Sequence, residues 1–177
     1  MAEIEHFCDP KDKNHSKFFM VADTVLPLLS AKSQEEGNMK PVQTAIGEAV
    51  STGLVNNETL GYFLARSYMF LMSCGIRDTA IRFRQHRSTE MAHYSTDCWD
   101  AEVETSYGWI EIAGHADRSA FDLSRHQEKT KVELVAARPL KEAYTETLIV
   151  ATPNKQLIGK EFKKEGQVIL AHFANAS

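Results

Sequence analysis

The chain has 177 residues, 43% of them apolar and 25% charged, with a formal charge of −4. This composition suits one globular domain or parts of one; it excludes a disordered or fibrous chain, and with no global basic excess any nucleic-acid contact has to be local. The acidic, alternating start MAEIEHF lacks the basic and apolar regions of a signal peptide, and no apolar run reaches the ~20 residues of a membrane span.

Along the chain, residues 1–7 alternate, with Ala2, Ile4 and His6 on one face and Glu3, Glu5 and Phe7 on the other. That predicts a strand, broken by Asp9-Pro10. A strand opening on the first residue, and a far end HFANAS that stops just after a helical pattern, point to an excerpt from a longer chain. From Ser16, the residues Phe18, Phe19, Val21, Ala22, Val25, Leu26 and Leu29 recur at helical spacing, with Pro27 expected to kink the helix. SQEEGNMK reads as a loop. Pro41 suits the first turn of a second helix that buries Val42, Ala45, Ile46, Ala49 and Val50 and stops at Gly53. Asn56 or Asn57 caps a third, LGYFLARSYMFLMSCG, which is apolar nearly all round and so expected to be buried; Gly75 ends it.

The texture then changes. IRFRQH sets Ile81, Phe83 and Gln85 against Arg82, Arg84 and His86, and HYSTDCWDAEVE and SYGWIEIAG read as two more strands joined by a hairpin at Thr105-Ser106. Asp117 is expected to cap a helix carrying Ala120, Phe121, Leu123 and Ser124. KVELVAA and TETLIVAT read as further strands around a loop with Arg138-Pro139, and residues 155–173 as a last amphipathic helix. The order of elements fits an α+β chain, an antiparallel sheet with a helical insert. Cys8, Cys74 and Cys98 form no CxxC pair and read as reduced thiols of a cytosol-like compartment.

Glu111 lies in the middle of a strand-like run. Ile110 and Ile112 share a face with Gly108 and Gly114, taken as core; Tyr107, Trp109, Glu111 and Ala113 share the other. A half-sheltered carboxylate calls for a cation. That cation is Arg82 or Arg84 of a neighbouring strand or, in a cleft, a metal ion or ligand cation. If Asp117 is the cap, Arg118 in the first turn opposes the helix dipole by roughly 0.3–1 kcal/mol. Its partner is Asp117, Asp122 or another protein carboxylate, or else a ligand carboxylate or phosphate gripped by two parallel bonds. Glu3 and Glu5, side by side, form a solvated face or a site for an ammonium group. Glu3, Glu111 and Arg118 together suit a zwitterion.

Other signals are weaker. His86, His93 and Cys98 lack the spacing of a closed zinc site. IGK lacks the glycines of a phosphate loop, and no GxSxG or Cys-His signature marks a nucleophile, so no catalytic residue is assigned. RFRQHR is a local basic patch, read as an ion-paired strand or as a contact for a nucleic-acid backbone.

AEIEHFCDP, LGYFLARSYMFL, RFRQH, EMAHY, DCWDAE, SYGWIEIAGHADRSAFDLSRH and ARPLKE, in this order, resemble the glycyl-tRNA synthetases of eukaryotic and archaeal type, members of class II of the aminoacyl-tRNA synthetases. The likeness is weakest over 31–45 and after 142, and RSTEMAHY departs from the family's usual glutamate and asparagine before EMAHY. The resemblance implies an internal fragment of the catalytic domain. Residues 1–8 and 76–135 would be part of the class II catalytic sheet, 9–75 a helical insertion, and 136–177 the start of a further α/β insertion. It implies that Glu3 receives the glycine ammonium and Arg118 faces the glycine carboxylate. Glu111 and Ile112 would contact ATP, the Glu111 side chain acting through magnesium. Glu5 and Asp117 would stand behind them, and Trp109 or Tyr107 is offered as a wall excluding a β-carbon. It further implies glycine, ATP and tRNA(Gly) as substrates, a homodimer in the full-length protein, and a cytoplasmic or mitochondrial location with no membrane. The alternative is a non-catalytic module that touches tRNA or a protein.

Overall fold

The computed structural model describes residues 2–135, 137, 139, 142, 145, 147 and 152–175. The chain divides into two compact units, residues 1–135 and 136–177. In the first, five strands form one sheet in the order β2-β1-β3-β4-β5: β1 Val25–Leu29, β2 Val42–Ala45, β3 Ile81–Gln85, β4 Asp97–Thr105 and β5 Gly108–Asp117. The sheet is mixed, because β1 runs parallel to β3 while the other pairings are antiparallel. Four helices belong to this unit: α1 Ala31–Glu35, α2 Ile46–Ser51, α3 Glu58–Ser73 and α4 Phe121–Thr130.

The helical spacing from Ser16 is misleading. Only Phe18–Met20 winds, as one 3-10 turn, and Val25–Leu29 is a strand buried from Leu26 onward. A short apolar run satisfies both periods, and burial on both sides decides for the strand. Pro27 fits there. The Thr24 carbonyl accepts from the Ile46 N–H at 2.9 Å. By antiparallel alternation Leu26 and Leu28 then face β2 with their N–H groups, and the Pro27 nitrogen faces β3. The ladder to β3 starts only at Leu28, so the absent proline N–H costs no bond. The stretch 9–75 thus holds α3 and also β1 and β2 of the same sheet.

The loop read at SQEEGNMK begins in α1, whose cap is Ser30, its side chain accepting from Ser33 N. The second helix starts late: Val42–Ala45 is strand, and only Ile46–Ser51 is helix. Asn57 caps α3 by accepting from Leu60 N, and Gly75, at φ +86°, follows its end. This helix buries Leu60, Gly61, Leu64, Ala65 and Leu71 and leaves Met69, Phe70 and Met72 exposed, so it is amphipathic rather than buried all round. The stretch 2–8 forms no strand and is exposed. Alternation supplies a face, but a strand also needs a ladder partner, and no described residue pairs with it.

Strand β5 contains a bulge. Ala101 faces Ala113 and Glu102 faces Glu111, so Ile112 is the extra residue. Before it, Trp109 and Glu111 face the side of Arg82 and Arg84; after it, Ala113, His115 and Asp117 face the core. This corrects the alternation read from the sequence. Ala113 packs against the core rather than beside Glu111, and Ile110 and Ile112 remain about half exposed. The hairpin turn is Ser106-Tyr107, one residue later than expected, with Gly108 at φ +100°.

Under α3 the core gathers Leu26, Leu28, Ile46, Val55, Leu64, Ile81, Phe83, Trp99 and Ala101. Asp97 lies within it as a satisfied acceptor, taking bonds from Trp99 Nε1, Asn56 N and Gln85 Nε2. Asp117 ends β5 rather than capping α4, whose N-cap is Ala120. No strand forms over residues 131–135, and most of TETLIVAT, like Arg138, lies outside the described residues.

In the second unit the single helix expected over 155–173 is two, α5 Lys155–Phe162 and α6 Gly166–Asn175, separated by a 3-10 turn at Lys163–Glu165. Lys163, at φ +45°, breaks the helix. A Cβ on Gly166 would stand 3.2 Å from the Ile158 carbonyl oxygen, so the glycine permits that close return. Among the described residues no helix is long and apolar enough to cross a membrane.

Candidate functional site on the polar face of the sheet

The sheet face away from the core is built from alternate residues of three strands. β3 gives Arg82 and Arg84, β4 gives Cys98, Asp100 and Glu102, and β5 gives Trp109, Glu111 and Gly114. Much of it is buried: Asp100 is 2% exposed, Arg82 7% and Glu102 8%. Charges so sheltered require partners, and they have them. Glu102 accepts from Arg82 Nε at 2.5 Å and from Arg84 Nε at 3.0 Å. Arg84 also reaches Asp100 at 2.8 Å and Glu90 at 2.9 Å. Arg82 lies 4.2 Å from the centre of the Trp109 ring, a cation–π contact. Among the described residues no buried side-chain nitrogen or oxygen is left without a partner.

Hydrogen bonding from Arg87 and Arg84 holds the Glu90 carboxyl down at about 2. Burial would lower the pKa of Arg84, but its bonds to Glu90 and Glu102 raise it overall. Burial, together with the charges of Asp100, Asp97 and Glu111, pushes the Cys98 thiol up to about 11. On the core side, burial lowers the pKa of His115, whose ring meets Ser67 Oγ at 2.6 Å.

The strand cation expected for Glu111 goes elsewhere, since Arg82 and Arg84 both serve Glu102. Glu111 is exposed and makes no ion pair among the described residues. One of its oxygens would be 3.5 Å from a Cβ on Gly114, with Asp100 Oδ1 at 3.9 Å from the same point. The face therefore carries an uncompensated carboxylate beside Asp100. Ile112 occupies the bulge, so its backbone stands outside the regular ladder. Trp109 lies under Arg82, and Tyr107 is at the hairpin tip, 92% exposed.

Arg118 pairs with Asp122 at 2.6 Å and lies over the Tyr94 ring, in the connection before α4 rather than in its first turn. Glu3 and Glu5 are exposed in the unpaired stretch 2–8. No hydrogen bond or ion pair joins Glu3, Glu111 and Arg118 among the described residues. Asp117, the residue before Arg118, ties the end of β5 to the Lys13 loop and to the start of α3. It accepts from Lys13 Nζ at 2.6 Å, from Asn57 Nδ2 at 2.8 Å and from Ser119 N at 3.0 Å. Burial would raise its carboxyl, but the Lys13 and Ser119 bonds take it below the usual range.

Sequence reasoning missed one cluster. His86, Cys98 and Asp100 each offer a donor atom within 4.8 Å of the others. The signal was the strand register: Cys98 and Asp100 are two apart, and His86 lies directly across from Cys98, its N–H bonded to the Cys98 carbonyl. His93, weighed with them, instead packs against Tyr94 and Phe121.

No family model matches the chain. It is 49% identical over its whole length to glycine–tRNA ligase 1, mitochondrial, of Saccharomyces cerevisiae, covering 26% of that protein. It is 52% identical, again over its whole length, to the glycine–tRNA ligase of Drosophila melanogaster, covering 23%. The glycine–tRNA ligase of the archaeon Methanocaldococcus jannaschii is 43% identical over 99% of the chain, which covers 31% of it. The chain thus spans about a quarter to a third of the length of these relatives.

Proposed function

The chain belongs to the glycine–tRNA ligase family, and from that premise we propose that it forms part of a class II catalytic domain activating glycine with ATP and passing it to tRNA(Gly). The observation that carries this reading is identity near one half, along all or nearly all of the chain, with relatives of that name in yeast, fly and worm. In this reading Glu3 receives the glycine ammonium and Arg118 the carboxylate, exchanging its exposed partner Asp122 for the ligand. Glu111, with Ile112 beside it, faces ATP. The Glu111 carboxylate is a hard oxygen donor of the kind magnesium accepts alongside phosphates. Bound there, the ion would neutralise phosphate charge. Trp109, held under Arg82, is the better candidate than the exposed Tyr107 for a pocket wall.

The reaction asks for positioning and charge neutralisation rather than a protein nucleophile. The glycine carboxylate attacks the α-phosphate and pyrophosphate leaves; the terminal adenosine of the tRNA then takes the glycyl group. Asp117 would act as a positioning residue, since it directly precedes Arg118 and is itself held by Lys13, Asn57 and the Ser119 N–H. The parent protein is proposed to be a homodimer in the cytoplasm or mitochondrion, the two locations named among the relatives. The isolated chain is proposed to be inactive.

Grafting these residues in place of the matching stretch of the yeast relative tests the reading. Glycine-dependent pyrophosphate exchange should persist in the graft and fall roughly 100-fold with Glu3→Gln or Arg118→Met. Unchanged glycine KM and kcat in both variants would remove them from the site, and robust exchange by the 177 residues alone would overturn the inactivity.

A further inference from the structure

We propose that Cys98, His86 and Asp100 form a binding site for a thiophilic divalent metal ion of the zinc class. Their donor atoms lie within 4.8 Å of one another, and all three residues sit on or directly beside neighbouring strands. His86 is pinned by its N–H to the Cys98 carbonyl at 2.9 Å, and its Nε2 lies 2.8 Å from Asp100 Oδ2. Arg84 donates to that same oxygen and so holds the carboxylate plane in place, as hydrogen bonds to metal-binding carboxylates do. Oδ1 accepts no bond among the described residues and stands 3.9 Å from where a Cβ on Gly114 would lie.

The far side of the cluster is open. Across β5 the residues opposite Asp100 and Cys98 are Gly114 and Ala116, with no bulky side chain to fill the space. The Glu111 carboxylate borders that space and adds negative charge. One sulfur, one imidazole nitrogen and one carboxylate oxygen match the three-ligand zinc sites that keep a fourth position for water. The thiolate selects against magnesium, which takes oxygen ligands. On binding, the metal–sulfur bond forms as the S–H bond breaks and the thiol proton passes to solvent; no oxidation state changes.

The test is cobalt(II) titration of the chain in a Cys8→Ser, Cys74→Ser background, which removes the two exposed thiols. The expected result is a thiolate-to-cobalt charge-transfer band saturating at one ion per chain, insensitive to excess magnesium and displaced by zinc. Cys98→Ser should abolish the band, and His86→Ala and Asp100→Asn should each weaken affinity at least about tenfold. Absence of the band, its survival in Cys98→Ser, or unchanged affinity in both other variants overturns the site. For the unsubstituted protein, zinc should protect Cys98 from alkylation while leaving Cys8 and Cys74 reactive; equal labelling of all three thiols with and without zinc also overturns it. None of these readouts involves glycine or ATP, so the ligase reading stands or falls separately.

Discussion

The two faces of the central sheet bury alternate residues of the same strands by opposite means. Trp99 and Ala101 on β4 are fully buried among aliphatic side chains under α3. Asp100 and Glu102, their neighbours, are almost as deeply buried among guanidiniums and a tryptophan ring. The apolar face draws its stability from area removed from water. The polar face gains little net stability from its pairs, because desolvation offsets much of their attraction. Burial is therefore similar on both sides, but only one side has an evident structural reason to carry the residues it does. A costly polar layer that, among the described residues, is paired apart from the Glu111 carboxylate at its margin is what a binding surface needs.

The largest test of this contrast is removal of one member from each face. Glu102→Ala leaves two guanidiniums facing each other and should cost about 3–5 kcal/mol, comparable to Trp99→Ala on the core side. The two differ in what restores them. Replacing the pair together, Arg82→Met with Glu102→Leu, should leave stability unchanged or raise it by up to about 4 kcal/mol in denaturant unfolding. A double variant as unstable as Glu102→Ala would break the contrast, since the charges would then be structurally irreplaceable.

Asn57 ties α3 to the end of β5 on the core side, capping the helix while donating to Asp117. Asn57→Ala should cost about 1 kcal/mol in the same measurement, and more if the bond to Asp117 also counts. Acid should sharpen the contrast in another way. Glu90, depressed to about 2 from an ordinary 4.5, contributes stability that is complete above 4.5 and fades as pH falls toward 2. Asp117 is depressed as well and acts in the same direction. His115, kept neutral by burial, adds a loss of the same sign that begins below 6.5. Stability measured against pH should therefore decline on the acid side, and Glu90→Gln should flatten the part below 4.5. The smallest effect belongs to Arg118 and Asp122, both about half exposed. Asp122→Ala should change stability by less than about 0.5 kcal/mol, setting a baseline for an ion pair outside the sheltered layer.

Much of the sheet was legible because its strands announce themselves. IRFRQH and DCWDAE alternate cleanly, and the hairpin before β5 is set by a glycine at positive φ. The polar assignment of Trp109 and Glu111 also followed from period two. What was not legible depended on partners distant in sequence. Val25–Leu29 reads as helix until β2 and β3 flank it, and AEIEHF reads as strand although no described residue pairs with it. The destination of Arg82 and Arg84 was hidden for a similar reason: Glu102 and Glu111 are equally good acceptors on paper, and only the register puts Glu102 between the two cations. The Cys98, His86 and Asp100 cluster escaped because it arises across a ladder rather than from spacing along the chain.

The extra residue at Ile112 makes β5 unusually sensitive to counting. Losing that one residue would restore plain alternation, so the two halves of the strand could no longer serve opposite sides. Either Trp109 and Glu111 would be pressed against the aliphatic layer, or His115 and Asp117 would be pulled out of it, releasing Lys13 and Ser67. A single-codon deletion there would thus damage two surfaces at once, whereas lengthening the tip at Ser106-Tyr107 should disturb neither.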